Sequence, residues 1–235
     1  MAQTIRINKF FTEQGICSRR EADRLVESGV ITINGRVATL GDQVEPSDVI
    51  AREGHILPWG KAPLYIKYHK PVGVTTTSES HVPRNIIAEI GHPERIFPIG
   101  RLDKDSSGLI LLTNDGNIVN EILRTEFGHE REYLVRVDHP FDQAFLDHME
   151  KGVVILGNRT KPCRMSRVGR DRFHIVLTEG RNRQIRRMCQ TLGYRVIMLH
   201  RTRIMHITVN GLGSGEWKEL TSQEREHLLK AVGRR

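Results

Sequence analysis

The chain has 235 residues, 38% hydrophobic and 27% charged, with a net charge of +8 and a pI near 9.7. That length has room for one large domain, or for a small one plus a medium one, and the composition suffices to bury a core. No apolar run approaches the ~18 residues of a membrane span, and Arg6, Lys9 and Glu13 interrupt any secretory core near the start, so the expectation is a cytoplasmic protein without a membrane partner.

In chain order, residues 5–14 predict a short helix with Ile7, Phe10 and Phe11 on its apolar side, broken at Gly15. Ser18-Arg19-Arg20-Glu21 has the form of a capping box, opening a helix that runs to about Ser28 with Gly29 as its C′ residue. Residues 30–33 predict a strand, Asn34-Gly35 a type I′ turn into residues 36–39, and residues 43–50 a last strand. Residues 52–63 hold two prolines and two glycines without periodicity and predict a linker. The expected division is therefore 1–51, a linker 52–63, and a larger domain 64–235.

From Leu64 the apolar residues alternate, with Leu64, Ile66 and Tyr68 on one side, before the turn Lys70-Pro71-Val72-Gly73. A second strand is expected over 74–77 and a short helix over 86–90. Residues 100–116, GRLDKDSSGLILLTNDG, combine a tight corner, a polar turn, a buried strand from Leu109 to Leu112 and the start of a helix over 117–123. Strands follow at 131–137, 153–156, 164–168 and 172–177, with a helix at 141–149. Tyr133, Val135 and Val137 share one face of the first of these strands. Ile185, Met188, Cys189 and Leu192 define an amphipathic helix. Strands at 194–199 and 204–209 and a helix at 222–231 close the chain. The elements do not alternate regularly as βαβ, which predicts an α+β fold with a mixed, mainly antiparallel sheet.

Charge is unevenly spread. Residues 1–50 carry a net charge of −1, whereas residues 159–203 carry thirteen arginines and lysines against Asp171 and Glu179 alone. Twelve of the thirteen are arginine, the side chain suited to phosphate forks and base stacking, so a nucleic-acid backbone is the expected partner of this stretch. Cys17, Cys163 and Cys189 are far apart and the histidines form no ligand pair, so the expectation is reduced thiols, no metal and no cofactor. No glycine-rich phosphate loop stands between a strand and a helix.

GRLDKDSSGLILLTNDG, then REYLV, then EGRNRQIRRM, in this order, resemble the three motifs of the RsuA/RluF-like pseudouridine synthases that modify bacterial ribosomal RNA. The two short helices and the Asn-Gly hairpin resemble the alpha-L RNA-binding module that such enzymes carry in front of the catalytic domain. Residues 201–205 (RTRIM) and 215–221 (GEWKELT) resemble the large-subunit branch most. The resemblance implies isomerisation of uridine to pseudouridine in large-subunit ribosomal RNA, with small-subunit RNA or a transfer RNA as the alternative substrate; a monomer is expected. A protein of the same fold that binds RNA or assists ribosome assembly without catalysis is the alternative.

The reaction implied detaches uracil from C1′, rotates it and rejoins it through C5, which calls for a nucleophile able to leave again, a role that suits a carboxylate. The opening loop offers Asp103, Asp105 and Asp115. Asp115 fits a helix N-cap and Asp105 a turn, and the family's catalytic aspartate falls on Asp103. By the same resemblance Tyr133 stacks on the base and handles the C5 proton, unless it is simply core. Arg186 pairs with the aspartate; helix geometry puts it at the edge of the apolar stripe, with Arg183 and Arg187 on the opposite side. Leu199 packs on uracil, or is plain core. Arg101 helps to extrude the nucleotide, since a stacked uridine cannot be reached. Arg181, Arg183, Arg187, Arg201 and Arg203 are candidates for phosphate contacts, and Lys9, Arg19 and Arg20 for RNA contacts in the N-terminal module.

Overall fold

The computed structural model describes residues 4–234 and divides them into two compact units. The first comprises residues 4–64 with 92–97 and 113–116; the second comprises 65–91, 98–112 and 117–234.

In the first unit, helices α1 (Ile7–Glu13) and α2 (Arg19–Glu27) pack Phe10, Phe11, Ala22 and Val26 against Ile31 and Ile50. Ser18 caps α2 by accepting from the Glu21 amide at 3.2 Å, which is one half of the capping box. The strands Ile31–Ile33 and Arg36–Val37 form the hairpin, with Asn34 at φ 51° and Gly35 at φ 82°, the two positive values that a type I′ turn requires. Two expectations need correction here. Residues 43–50 are not one strand: Gln43–Val44 pairs with Ile5–Arg6, while Ile50–Arg52 joins the hairpin sheet.

The stretch 52–63 is not a bare linker either. His55–Leu57 adds a fourth strand to that sheet through the turn at Glu53-Gly54. Beyond it, the Trp59 ring lies 4.6 Å from that of Phe10, and its Nε1 donates to Asp48 O at 3.0 Å. Residues 62–64 are held as well. Thr113 Oγ1 donates to Leu64 O at 2.6 Å, and Asn114 accepts from Leu64 N at 2.8 Å and donates to Ala62 O at 3.0 Å. Proline and glycine mark turns, but they do not exclude the burial that holds a turn in place.

The second unit is built on a nine-stranded mixed sheet. Its main path runs Arg164–Arg167, Arg172–Leu177, Arg131–Val137, Val196–Ile204, Ser107–Thr113, Tyr65–Lys70, Trp217–Glu219. Four pairings along this path are antiparallel, and Val196–Ile204 runs parallel to Ser107–Thr113. Residues 194–209 hold one nine-residue strand and the short Ile207–Thr208, rather than two comparable strands. Of the strand expected at 74–77 there is a single bridge, Thr75 to Asn85.

Helices α3 (Ile86–Ile90) and α4 (Asn117–Leu123) follow the expected spans. Helices α5 (Gln143–Glu150) and α6 (Gln184–Thr191) bury Phe145, Met149, Ile185 and Met188 against Val135, Phe173 and Ile175. A second core joins Leu109, Leu111 and Ile204 to Ile118 and Ile122 of α4 and to Leu228 of α7 (Ser222–Ala231). The closing helix carries a complete capping box, with Thr221 and Glu224 bonding reciprocally. No described helix is long and apolar enough to cross a membrane.

Candidate active site

Asp103 sits in the short loop between the strands Phe97–Ile99 and Ser107–Thr113. The loop closes on itself, Ser106 N donating to Asp103 O at 3.0 Å. It is then held from two sides. The buried Thr76 hydroxyl donates to Leu102 O at 2.8 Å and accepts from Leu102 N at 3.3 Å, while Gly73 N donates to Lys104 O at 2.7 Å. From the other side, Arg186 Nη2 donates to Asp105 O at 3.1 Å and lies 3.2 Å from Ser106 Oγ, and its Nη1 donates to Val196 O at 3.1 Å. A loop whose backbone is bonded this densely presents its carboxylate in one geometry.

Two arginines meet two aspartates at this point. Arg183 Nη1 donates to Asp103 Oδ2 at 3.2 Å, and Arg186 Nε stands 3.7 Å from the same oxygen. Asp105 Oδ2 takes Arg186 Nη2 at 3.1 Å and Arg183 Nη2 at 3.6 Å. The helical wheel turned Arg183 away from the loop, and the structure does the reverse. Arg183 is the N-cap of α6 with φ 50°, a left-handed residue outside the helix, so the 100° rule does not apply to it. Arg186 does reach the loop from the stripe edge, but it grips the backbone more closely than it grips Asp103.

Asp103, Arg101, Tyr133 and Leu199 line one cavity of about 390 Å³, within the ~300–1,000 Å³ usual for small-molecule sites. Tyr133 lies opposite Ile175 on one neighbouring strand and Arg201 on the other, next to a bulge between Glu132 and Tyr133. Its ring packs on the core, and its exposed part borders the cavity. Glu179 lines the same cavity and is almost fully buried. It accepts from Lys161 N, Gln184 Nε2 and Arg181 Nε at 2.9, 2.9 and 3.2 Å, which ties down the loop entering α6.

The basic residues fall into groups that composition does not separate. Arg101 is exposed at the cavity, and Arg19 and Arg20 are exposed on the first turn of α2. Lys9 pairs with Glu13 at 3.5 Å. Arg187 is bonded to Asn182, and Arg181 donates to Glu179 and to the carbonyls of Asn158 and Arg159. Arg203 is committed to Glu132 at 2.8 Å and Glu130 at 3.1 Å, not held out toward solvent. Arg201 is 3% exposed and faces the cavity, not a phosphate on the surface.

One group escaped the sequence reading. Lys70 continues the in-phase series Ile66, Tyr68, Lys70 and is completely buried. Its Nζ donates to Pro71 O at 2.9 Å and Val74 O at 2.8 Å, closing the turn that carries Gly73 to the loop of Asp103. Burial pushes its ammonium down to about 8, against the opposing pull of Asp103 and Asp105. The signal was present: a lysine on the apolar phase of a strand is either the end of the strand or a buried cation.

Residues 64–191 match the RNA pseudouridylate synthase family, and residues 5–50 match the S4 domain family. The chain is 48% identical to the dual-specificity RNA pseudouridine synthase RluF of Escherichia coli strain K12, over 97% of this chain and 80% of that one. It is 33% identical to the ribosomal large subunit pseudouridine synthase B of Bacillus subtilis strain 168, over 95% of each. A crystal structure of a pseudouridylate synthase superposes with a TM-score of 0.70 at 29% identity, over 95% of this chain and 99% of that one.

Proposed function

The chain belongs to the RNA pseudouridylate synthase family, with an S4 domain in front, and from that premise we propose that it isomerises uridine in ribosomal RNA, that of the large subunit first, with Asp103 as nucleophile. The enzyme is an RNA-modifying isomerase. Support for the ribosomal substrate comes from the similarity to the Bacillus subtilis large-subunit enzyme. The expected setting is the bacterial cytoplasm, where ribosomal RNA is made and matured.

The observation that carries the assignment is the position of Asp103. Its carboxylate is one-third exposed, lines the cavity that Tyr133 and Leu199 also line, and is paired with the guanidinium cations of Arg183 and Arg186. A carboxylate so placed can take C1′ of a flipped uridine as the C1′–N1 bond breaks, and leave again when C5 bonds to C1′. Tyr133 offers a ring face to the base and a hydroxyl near C5, and Leu199 an apolar wall. The C5 proton then leaves and N1 takes one up, so the net change is an isomerisation.

The test is Asp103→Asn, which keeps shape and removes charge. Pseudouridine formation in a ribosomal RNA substrate is expected to fall by more than about 10³-fold, while the Kd for that RNA changes less than about threefold. Turnover within tenfold of the parent enzyme would overturn the assignment. The wild-type reaction on fragments of large- and small-subunit RNA and on transfer RNA settles the substrate.

A further inference from the structure

Two guanidinium groups in the wall of the cavity have no acid of their own. Arg131 is 7% exposed and Arg201 3% exposed, and both line the cavity with Asp103 and Tyr133. Arg131 Nη2 donates to Ile122 O at 2.9 Å, and Arg201 Nε to Leu109 O at 2.7 Å. Neither forms an ion pair among the described residues, and Arg201 Nη2 is buried without any hydrogen-bond partner. The two acids that line the cavity are already satisfied, Asp103 by Arg183 and Arg186, and Glu179 by three donors.

Beyond those carbonyls, the Tyr133 ring stands beside Arg201, its centroid 6.0 Å from the guanidinium carbon. Burial lowers the affinity of Arg131 for its proton, Tyr133 opposes that and Arg201 adds to it, yet an arginine remains a cation at neutral pH. Two buried cations without an acidic partner in one cavity wall cost stability. Such an arrangement is expected where a negative charge arrives only during the reaction.

Resting on the assignment above, we propose that Arg131 and Arg201 form the site that stabilises the uracil ring as an anion while it is detached from the ribose. When C1′–N1 breaks heterolytically, the bonding pair stays on N1 and spreads to the O2 and O4 oxygens, while C1′ is taken by the Asp103 carboxylate. When C5 attacks C1′, the Asp103 oxygen departs with the pair of its C1′ bond. The C5 proton is then lost and N1 is protonated, and the ring is neutral again. Buried N–H donors of fixed direction stabilise that transient charge more than they stabilise the neutral base of the bound substrate, which is the condition for accelerating the step. The unpartnered Arg201 Nη2 is the donor held in reserve for it.

The experiment compares the full-length wild type with Arg201→Gln and Arg131→Gln in single-turnover cleavage of C1′–N1. Each acts on one RNA carrying either uridine or 5-fluorouridine at the target, and is read as loss of the starting nucleoside after digestion. Fluorine itself stabilises the ring anion, so the better leaving group needs less help. Each Gln variant is expected to lose about 100-fold on uridine and under about tenfold on 5-fluorouridine, with unchanged Kd for RNA. Arg201→Lys, which retains charge without the fork, is expected to fall between.

An equal loss on both nucleosides, or no loss, overturns the proposal. Wild-type enzyme that fails to isomerise uridine at all overturns instead the assignment on which it rests. Two positions are used because Arg201 also bonds to Leu109 O; if one variant does not fold, the other carries the same test.

Discussion

A buried cation reports its surroundings through pH, and Lys70 is the residue where this can be read. Its ammonium titrates near 8 in the fold and about 10.4 in an unfolded chain. Below pH 8 both states are protonated and the free energy of unfolding does not depend on this group. Between about 8 and 10.4 the unfolded chain holds the proton and the native one does not, so stability from this group rises with pH. The neutral amine still donates to both Pro71 O and Val74 O. Urea unfolding of wild type and Lys70→Met at pH 7, 8.5 and 10 is therefore expected to show wild type gaining on the variant by up to roughly 3 kcal/mol. A constant difference across that range would mean that Lys70 is not titrating there. Arg183 makes a second point at this scale. A single left-handed φ, invisible to any wheel, redirects it from solvent to the Asp103 carboxylate.

Among the elements, the parallel pair of strands Ser107–Thr113 and Val196–Ile204 sets Gly108 directly against Arg201. Gly108 lies at φ 106°, in register with Arg201, and a Cβ there would run into the Arg201 backbone nitrogen and carbonyl. Gly108→Ala must part the strands or strain the backbone. It is expected to cost roughly 2–5 kcal/mol in denaturant unfolding and to slow isomerisation. A loss under about 1 kcal/mol would show that the pair opens freely. The motif's Ser-Ser-Gly run read as a polar turn. It is also the place where two backbones meet, a requirement that only the neighbouring strand imposes.

Across the whole chain, positive charge is not interchangeable. Residues 159–203 supplied most of the excess, but Arg181 and Arg203 are tied to glutamates and Arg201 is buried. Arg19 and Arg20, from a segment with a net charge of −1, are exposed and in no ion pair among the described residues. Measured as log K for RNA against log salt, the double variant Arg19→Ala, Arg20→Ala is expected to reduce the slope by about 1–2, and Arg203→Ala to leave it within about 0.3. The reverse ranking would show that net charge, and not free charge, guides binding.

Local order was legible in the sequence because it has a period or a fixed spacing. The helices over 86–90 and 117–123, the Asn-Gly hairpin, the strand carrying Tyr133 and the apolar stripe of α6 all follow from neighbours within about seven residues. The motifs named Asp103, Tyr133, Leu199 and Arg101, which share one cavity. Tertiary structure alone decided the rest. It set which arginine bonds to Asp103, 80 residues away, packed Leu57 and Trp59 against the first core, and buried Lys70. It also left Arg131 and Arg201 in the wall without an acid. Those outcomes depend on desolvation and on which charges meet across the sheet, and neither quantity is encoded in the spacing of residues along the chain.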